Sequence, residues 1–197
     1  MPTESQSFDP LRAELQSHGF QLLTASVDRD VVARVAATLG LPPSMADTYA
    51  QGGPSPESSI PWVVEDLTLY SITELVAAQE GYRWTGPTQR ELPDWPANWV
   101  VVGSIFADPF FVDVADDEAP VYFARHGAGR WDAHRVAPSL SDFIAALTSF
   151  EAVLLGEFHD DVWDDAGLRK DFLRAIEVRL APKLASTDLQ AFVSTLL

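Results

Sequence analysis

Two histidines and a scatter of aspartates are the residues here whose types would suit proton transfer or metal binding. Residues 125–134, reading RHGAGRWDAH, set His126 and His134 among Arg125, Arg130 and Asp132. Imidazoles near a carboxylate can exchange protons around neutral pH. No serine, cysteine or paired carboxylate stands at a spacing that would make it their nucleophile. Gly127-Ala128-Gly129 lacks the helix start that a phosphate loop needs, so it reads as a hairpin turn. Asp108 and Asp113 bracket Pro109-Phe110-Phe111-Val112. Strand alternation puts Phe111 and Asp113 on one face and Phe110 and Val112 on the other. Asp108 before Pro109 fits turn initiation, with a polar ligand contact as the alternative.

Residues 157–165, EFHDDVWDD, concentrate one imidazole and five carboxylates. Ca²⁺ and Mg²⁺ take several convergent oxygens, but the calcium-loop spacing with its central glycine is missing. Acidic residues just ahead of a helix also stabilise its dipole, and that is the expected role. No catalytic, cofactor-binding or metal-binding residue is therefore assigned, and no cofactor is expected.

The elements that would position these residues are legible from hydrophobic period and turn chemistry. Three β-rich runs, 99–104, 109–114 and 120–124, are joined by tight turns and form an antiparallel meander. Ser139 and Asp142 have capping-box spacing for a helix whose buried stripe is Leu140, Phe143, Ile144 and Leu147. Upstream, a weak helix over 8–18 stops at Gly19, and a better one capped by Asp28 carries Val31, Val32, Val35 and Leu39 to a stop at Gly40. A short helix through Met45 and Tyr49 follows Leu41-Pro42-Pro43 and stops at Gly52-Gly53. Residues 52–59, GGPSPESS, read as a loop. Residues 60–69 read as one extended strand, and Ser71 with Glu74 caps a helix over 72–79. Four breakers make 82–97 a connecting loop anchored by Trp84 and Trp95. The tail is helical, with an apolar face of Leu168, Phe172, Leu173, Ile176 and Leu180 ended by Pro182. A last helix capped by Thr187 turns Leu189, Phe192, Val193 and Leu196 inward. The expected fold class is α+β: an antiparallel-dominated sheet packed with helices over 1–150, plus a helical extension over 151–197 packed on it.

Composition bounds what such a fold could do. The chain has 197 residues, 47% of them hydrophobic, including 6 Trp and 11 Phe, enough apolar surface to offset ordering entropy. With no cysteine there is no disulfide, thiolate metal site or cysteine nucleophile. No run approaches about 18 apolar residues, and the first residues lack the basic and apolar regions of a signal peptide, so a cytoplasmic protein is expected. The formal net charge is -16. Residues 61–120 hold 11 acidic and 2 basic residues, a local balance of -9, whereas 121–150 are near neutral. Such a surface repels phosphate backbones and anionic membranes, and it steers a basic protein inward.

The order of several short words resembles the SUKH superfamily, the domain shared by fungal cell-wall-synthesis regulators of the Smi/Knr type and bacterial toxin-immunity proteins. Leu41-Pro42 and Gly52-Gly53 match its early helices, and Leu67-Thr68-Leu69-Tyr70-Ser71 with Glu74-Leu75 matches its leucine-rich strand and following helix. Gly103, Asp108 and Phe111-Val112-Asp113 match its strand pair. Pro120-Val121-Tyr122, His126 and the helix over 139–147 complete the pattern, which covers roughly residues 28–148. The resemblance implies a non-enzymatic protein-binding module. Immunity against a basic, nuclease-like polymorphic toxin is the favoured role, and a regulatory scaffold is the alternative. An enzyme or small-ligand protein using His126, His134, Asp108 and Asp113 is the competing class, and a deep pocket lined by them would favour it. Candidate partner-binding residues are Asp113, Asp116, Asp117, Glu118, Trp84 and Trp95, the tryptophans being either interface anchors or core anchors. A homodimer through the tail helices is open.

Overall fold

The computed structural model describes residues 7–24, 27–86, 88, 90–127 and 130–196. Six strands build the main sheet: β1 (Ser59–Ile60), β2 (Leu67–Leu69), β3 (Trp99–Ile105), β4 (Asp108–Asp113), β5 (Val121–Phe123) and β6 (His134–Ala137). Their spatial order follows the chain, and every pair is antiparallel. The helices are α1 (Asp9–Ser17), α2 (Arg29–Leu39), α3 (Pro43–Ala50), α4 (Leu140–Glu151), α5 (Lys170–Leu180) and α6 (Ser186–Ser194). The architecture is α+β, as the pattern of strands then helices implies.

Alternation along β3 and β4 gives the sheet two apolar faces. Val100, Val102, Phe110 and Val112 face the helices, while Val101 and Phe111 face the other way. On the helix side, Trp62 joins the layers: its ring lies 4.2 Å from Phe150 of α4, 5.8 Å from Phe192 of α6 and 6.3 Å from Phe110 of β4. Helix α4 is opened by Ser139, whose Oγ accepts from the Asp142 N–H at 3.0 Å. It continues through a π-helical turn, Ala152–Glu157. Helix α5 packs on α4, and α6 lies against β6; Phe172, Ile176, Leu180 and Phe192 are fully buried there.

Strand β3 shows why two residue types were needed where they stand. A bulge between Val101 and Gly103 breaks the ladder to β4. A Cβ on Gly103 would meet the Thr68 carbonyl oxygen at 2.7 Å, so only glycine lets β2 approach. Strand β2 then diverges, and buried Gln79 takes its place. Its Nε2 donates to Val101 O at 3.0 Å, and its Oε1 accepts from Val101 N at 2.9 Å. The side chain completes the backbone pairing that no strand supplies.

Several elements differ from the reading of the sequence. Residues 60–69 are a hairpin, β1 pairing with β2. Pro61 has no N–H to continue a ladder, and Trp62 and Val63 turn into the core. Within 52–59, Gly53–Pro54 pairs with Leu23–Thr24, and Trp84–Thr85 pairs with Arg90–Glu91 inside 82–97. The helix over 72–79 is a run of turns ending in a 3₁₀ turn, Ala77–Gln79, although Glu74 reaches back to the Ser71 N–H as the capping box requires. Leu168 lies outside α5, in a ladder of Gly167–Leu168 with Trp163–Asp164. Thr187 does not cap α6, which starts at Ser186. Strand β6 was not anticipated, because its outer residues are polar and only Val136 and Ala137 are buried.

Candidate functional site

The β4–β5 turn is the most acidic projection of the sheet. Asp113 ends β4, and its Oδ1 accepts from Asn98 Nδ2 at 2.5 Å and from the Ala115 N–H at 3.0 Å. Asp116 Oδ1 accepts from the Glu118 N–H at 3.0 Å, a local Asx turn. Ser44 at the start of α3 donates to the Asp117 carbonyl at 2.8 Å and ties the turn to the helix layer. Asp116, Asp117 and Glu118 are exposed, and among the described residues none of the three carboxylates is in an ion pair. Their charge therefore points into solvent without an internal counter-ion. The crevice between this turn and α3 and α4 holds about 10 Å³, room for roughly one water and for no ligand.

The two candidate tryptophans have different settings. Trp95 is 4% exposed and sits at the centre of the sheet's second face. Its ring lies 5.0 Å from Phe111, 5.0 Å from Trp131 and 5.3 Å from Tyr82, and its Nε1 donates to the Trp99 carbonyl at 3.0 Å. That is the setting of a core anchor, which ties down the loop beside Asn98 and the acidic turn. Trp84 is half-buried, with the Arg83 guanidinium 5.4 Å from its ring centroid. It keeps indole surface available to a partner.

The proton-transfer candidates are not assembled into one site. His126 Nδ1 donates to Asp108 Oδ1 at 2.7 Å, and the His126 N–H reaches the same oxygen at 2.8 Å, so Asp108 closes a turn. His134 faces Asp132 at 3.7 Å, both well exposed. A shallow depression of about 330 Å³ is lined by Phe123, Arg125, Asp132, His134 and Ser194, and neither Asp108 nor His126 contributes to it. Asp113 stands at the far end of β4, about 17 Å from Asp108. The depression that His134 lines therefore does not bring the four candidates together.

The acidic run over 157–165 is likewise dispersed. Arg179 pairs with Glu157, and Arg169 Nη1 reaches Asp161 Oδ2 at 3.1 Å. His159 Nδ1 donates to the Leu155 carbonyl at 3.0 Å. At the start of α5, the hydrogen-bonded Arg169 guanidinium lowers the Asp171 carboxyl below its ordinary range. Among the described residues, no three His, Asp or Glu side chains are grouped to hold a metal, and no helix is long and apolar enough to cross a membrane.

One buried acid escaped the sequence reading because its neighbours read as helix. Glu151, at the end of α4, is 0% exposed, and both of its Oε atoms are without a hydrogen-bond partner. Burial, aided by the negative charges of Asp66, Glu14 and Asp160, pushes its carboxyl up to about 9. Asp188 of α6 is also buried and accepts from Arg135 Nε of β6 at 3.1 Å.

A six-stranded antiparallel meander backed by helices, with its candidate polar groups on turns, defines an α+β domain. The profile of the SMI1 / KNR4 family (SUKH-1) matches residues 26–146, and the chain belongs to that family. The match agrees with the resemblance over 28–148. Domains of this family are known as non-enzymatic immunity and regulatory modules that generally bind protein partners, and membership is compatible with either role. No curated protein and no solved structure matches the chain.

Proposed function

We propose that this chain is an immunity protein, a non-enzymatic module that neutralises a basic, nuclease-like toxin domain by covering its active site. The observation that carries the reading is the β4–β5 turn, where Asp116, Asp117 and Glu118 are exposed without counter-ions on a chain of net charge -16. Such a field draws a cationic protein in and raises its association rate, whereas nucleic acid and anionic membrane are repelled. Asp113 supports the turn from β4, Trp95 holds the loop ahead of Asn98 in place, and Trp84 offers a partly exposed ring elsewhere on that connection. The reading requires no metal or cofactor, and it places the protein in the cytoplasm, where an incoming nuclease would act.

The test is co-expression with the product of the gene that neighbours this chain's own, which the reading expects to be a basic toxin. Rescue of growth and a stable co-purified complex are expected. Reversing Asp116, Asp117 and Glu118 to Lys should slow association at least tenfold at low salt and flatten its salt dependence. Absence of both rescue and complex would refute the immunity role. A complex with an endogenous protein and no rescue would point to a regulatory scaffold instead.

A further inference from the structure

Large apolar side chains are seldom left exposed, and two of this protein's stand together. Trp163 is 49% exposed and Val64 is 59% exposed. Trp163 Nε1 donates to the Val63 carbonyl at 3.1 Å, which fixes the indole alongside the 63–64 backbone. The ladder beneath it is held by buried Val162 and by Arg169, whose N–H bonds the Val162 carbonyl at 2.9 Å. The ring is thus pre-organised, so little side-chain freedom would be lost on binding.

A depression of about 400 Å³ is lined by Phe20, Pro61 and Leu155 with His18, Asp66, His159 and Asp160, so that Pro61, Asp66 and Asp160 lie within three residues of Val64 or Trp163 in the chain. Glu65, Asp66, Asp160, Asp161, Asp164 and Asp165 are all exposed; of these, Asp161 is matched by Arg169. Among the described residues neither Asp66 nor Asp160 is in an ion pair, so a cation entering between them would meet two carboxylates not yet matched.

We infer that Trp163, Val64 and this depression form a docking surface for a protein segment with an apolar tip flanked by Lys or Arg. The inference rests on the protein-binding reading and gives that binding a second surface. The β4–β5 turn borders the N-terminal end of α4, where Glu118 and Ala119 adjoin Ser139 and Leu140. The new surface borders the opposite end of α4, about 17 Å away along the helix axis. Trp163, Leu155, His159 and Asp160 of this surface lie beyond the 26–146 span of the family match, while Pro61, Val64 and Asp66 lie within it. Partner choice would then be set in part by residues that the family pattern does not dictate.

Two fluorescein-labelled synthetic peptides test this. They share one apolar centre and are flanked by lysines or by glutamates, and their anisotropy is followed with the full chain at low and high salt. The lysine peptide should bind and the glutamate peptide should not. Trp163→Ala with Val64→Ser should weaken binding at least tenfold, and Asp66→Asn with Asp160→Asn should weaken it and flatten the salt dependence. Reversal of Asp116, Asp117 and Glu118 should change it less than threefold. Thermal melting of each variant confirms the fold. Unchanged affinity in Trp163→Ala with Val64→Ser overturns the proposal. Weakening by the turn reversal alone assigns docking to the turn and leaves the protein-binding reading intact. Failure of both peptides to bind also removes this surface, while rescue from the toxin still decides the immunity role separately.

Discussion

Replacing Glu151 with Gln should shift stability in the variant's favour by an amount that grows with pH. Folding buries this carboxyl completely, with no hydrogen-bond partner for either oxygen, and raises it from an ordinary 4.5 to about 9. Between those values the folded chain holds a proton that the unfolded chain has released. Stability from this group is therefore fully present below about pH 4.5 and is lost as pH rises towards 9, at about 1.4 kcal/mol per pH unit. At pH 7 the loss is about 3 kcal/mol, from some 2.5 pH units above 4.5. Gln keeps the shape and does not titrate. Its buried amide brings an unsatisfied donor that costs about 1–3 kcal/mol at every pH, so the net gain at pH 7 is small. The slope is diagnostic. Urea unfolding followed by tryptophan fluorescence at pH 5.5, 7.0 and 8.5 should show the variant gaining on the parent by about 4 kcal/mol across that range. A stability difference that does not change with pH would mean that Glu151 is ionised in the folded protein, and the account of its burial would fall.

Three other perturbations follow from the packing. Gly103→Ala places a Cβ against the Thr68 carbonyl oxygen at 2.7 Å and Leu69 Cδ2 at 3.2 Å; about 2–3 kcal/mol should be lost in denaturant unfolding, and a neutral result would show that β2 can move aside. Gln79→Leu keeps the volume but orphans the buried N–H and C=O of Val101, and roughly 3 kcal/mol should be lost, with faster amide exchange at Val101. Arg135→Ala leaves the buried Asp188 carboxylate unpaired and should cost about 2–3 kcal/mol; adding Asp188→Ala should restore part of it, because the penalty belongs to the stranded charge.

Elements were legible where a local device and a period agreed. Ser139 with Asp142 marked the start of α4, Asp28 and Gly40 framed α2, and the Val-Phe-Tyr alternation fixed which face of β4 each residue takes. What escaped depended on distant partners. Strand β6 carries exposed His134 and Arg135, so its alternation is weak, and it is defined by pairing with β5. The fold of residues 60–69 turns on Trp62 reaching Phe150 and Phe192, contacts no local pattern encodes. Thr187 has the right type for a cap, yet its neighbour Asp188 is drawn to Arg135 and the cap position falls two residues earlier, on Ala185. For the candidate site, the acidic turn could be read from charge alone. The Trp163–Val64 pair could not, because the two residues are a hundred positions apart until Trp163 Nε1 meets the Val63 carbonyl.

A sheet whose spatial order repeats its chain order can be laid down strand by strand as the polypeptide leaves the ribosome, each new strand adding to the one before it. The helix layer has no such schedule. Helix α1 must wait for α4, some 130 residues later, and the aromatic floor around Trp62 stays open until Phe192 arrives. A nascent chain would thus carry a finished sheet with a sticky underside from Ala137 until Phe192 emerges, an interval in which a holding chaperone would help. Termination ahead of Phe192 would be punished out of proportion to the residues removed, because that ring closes the floor around Trp62.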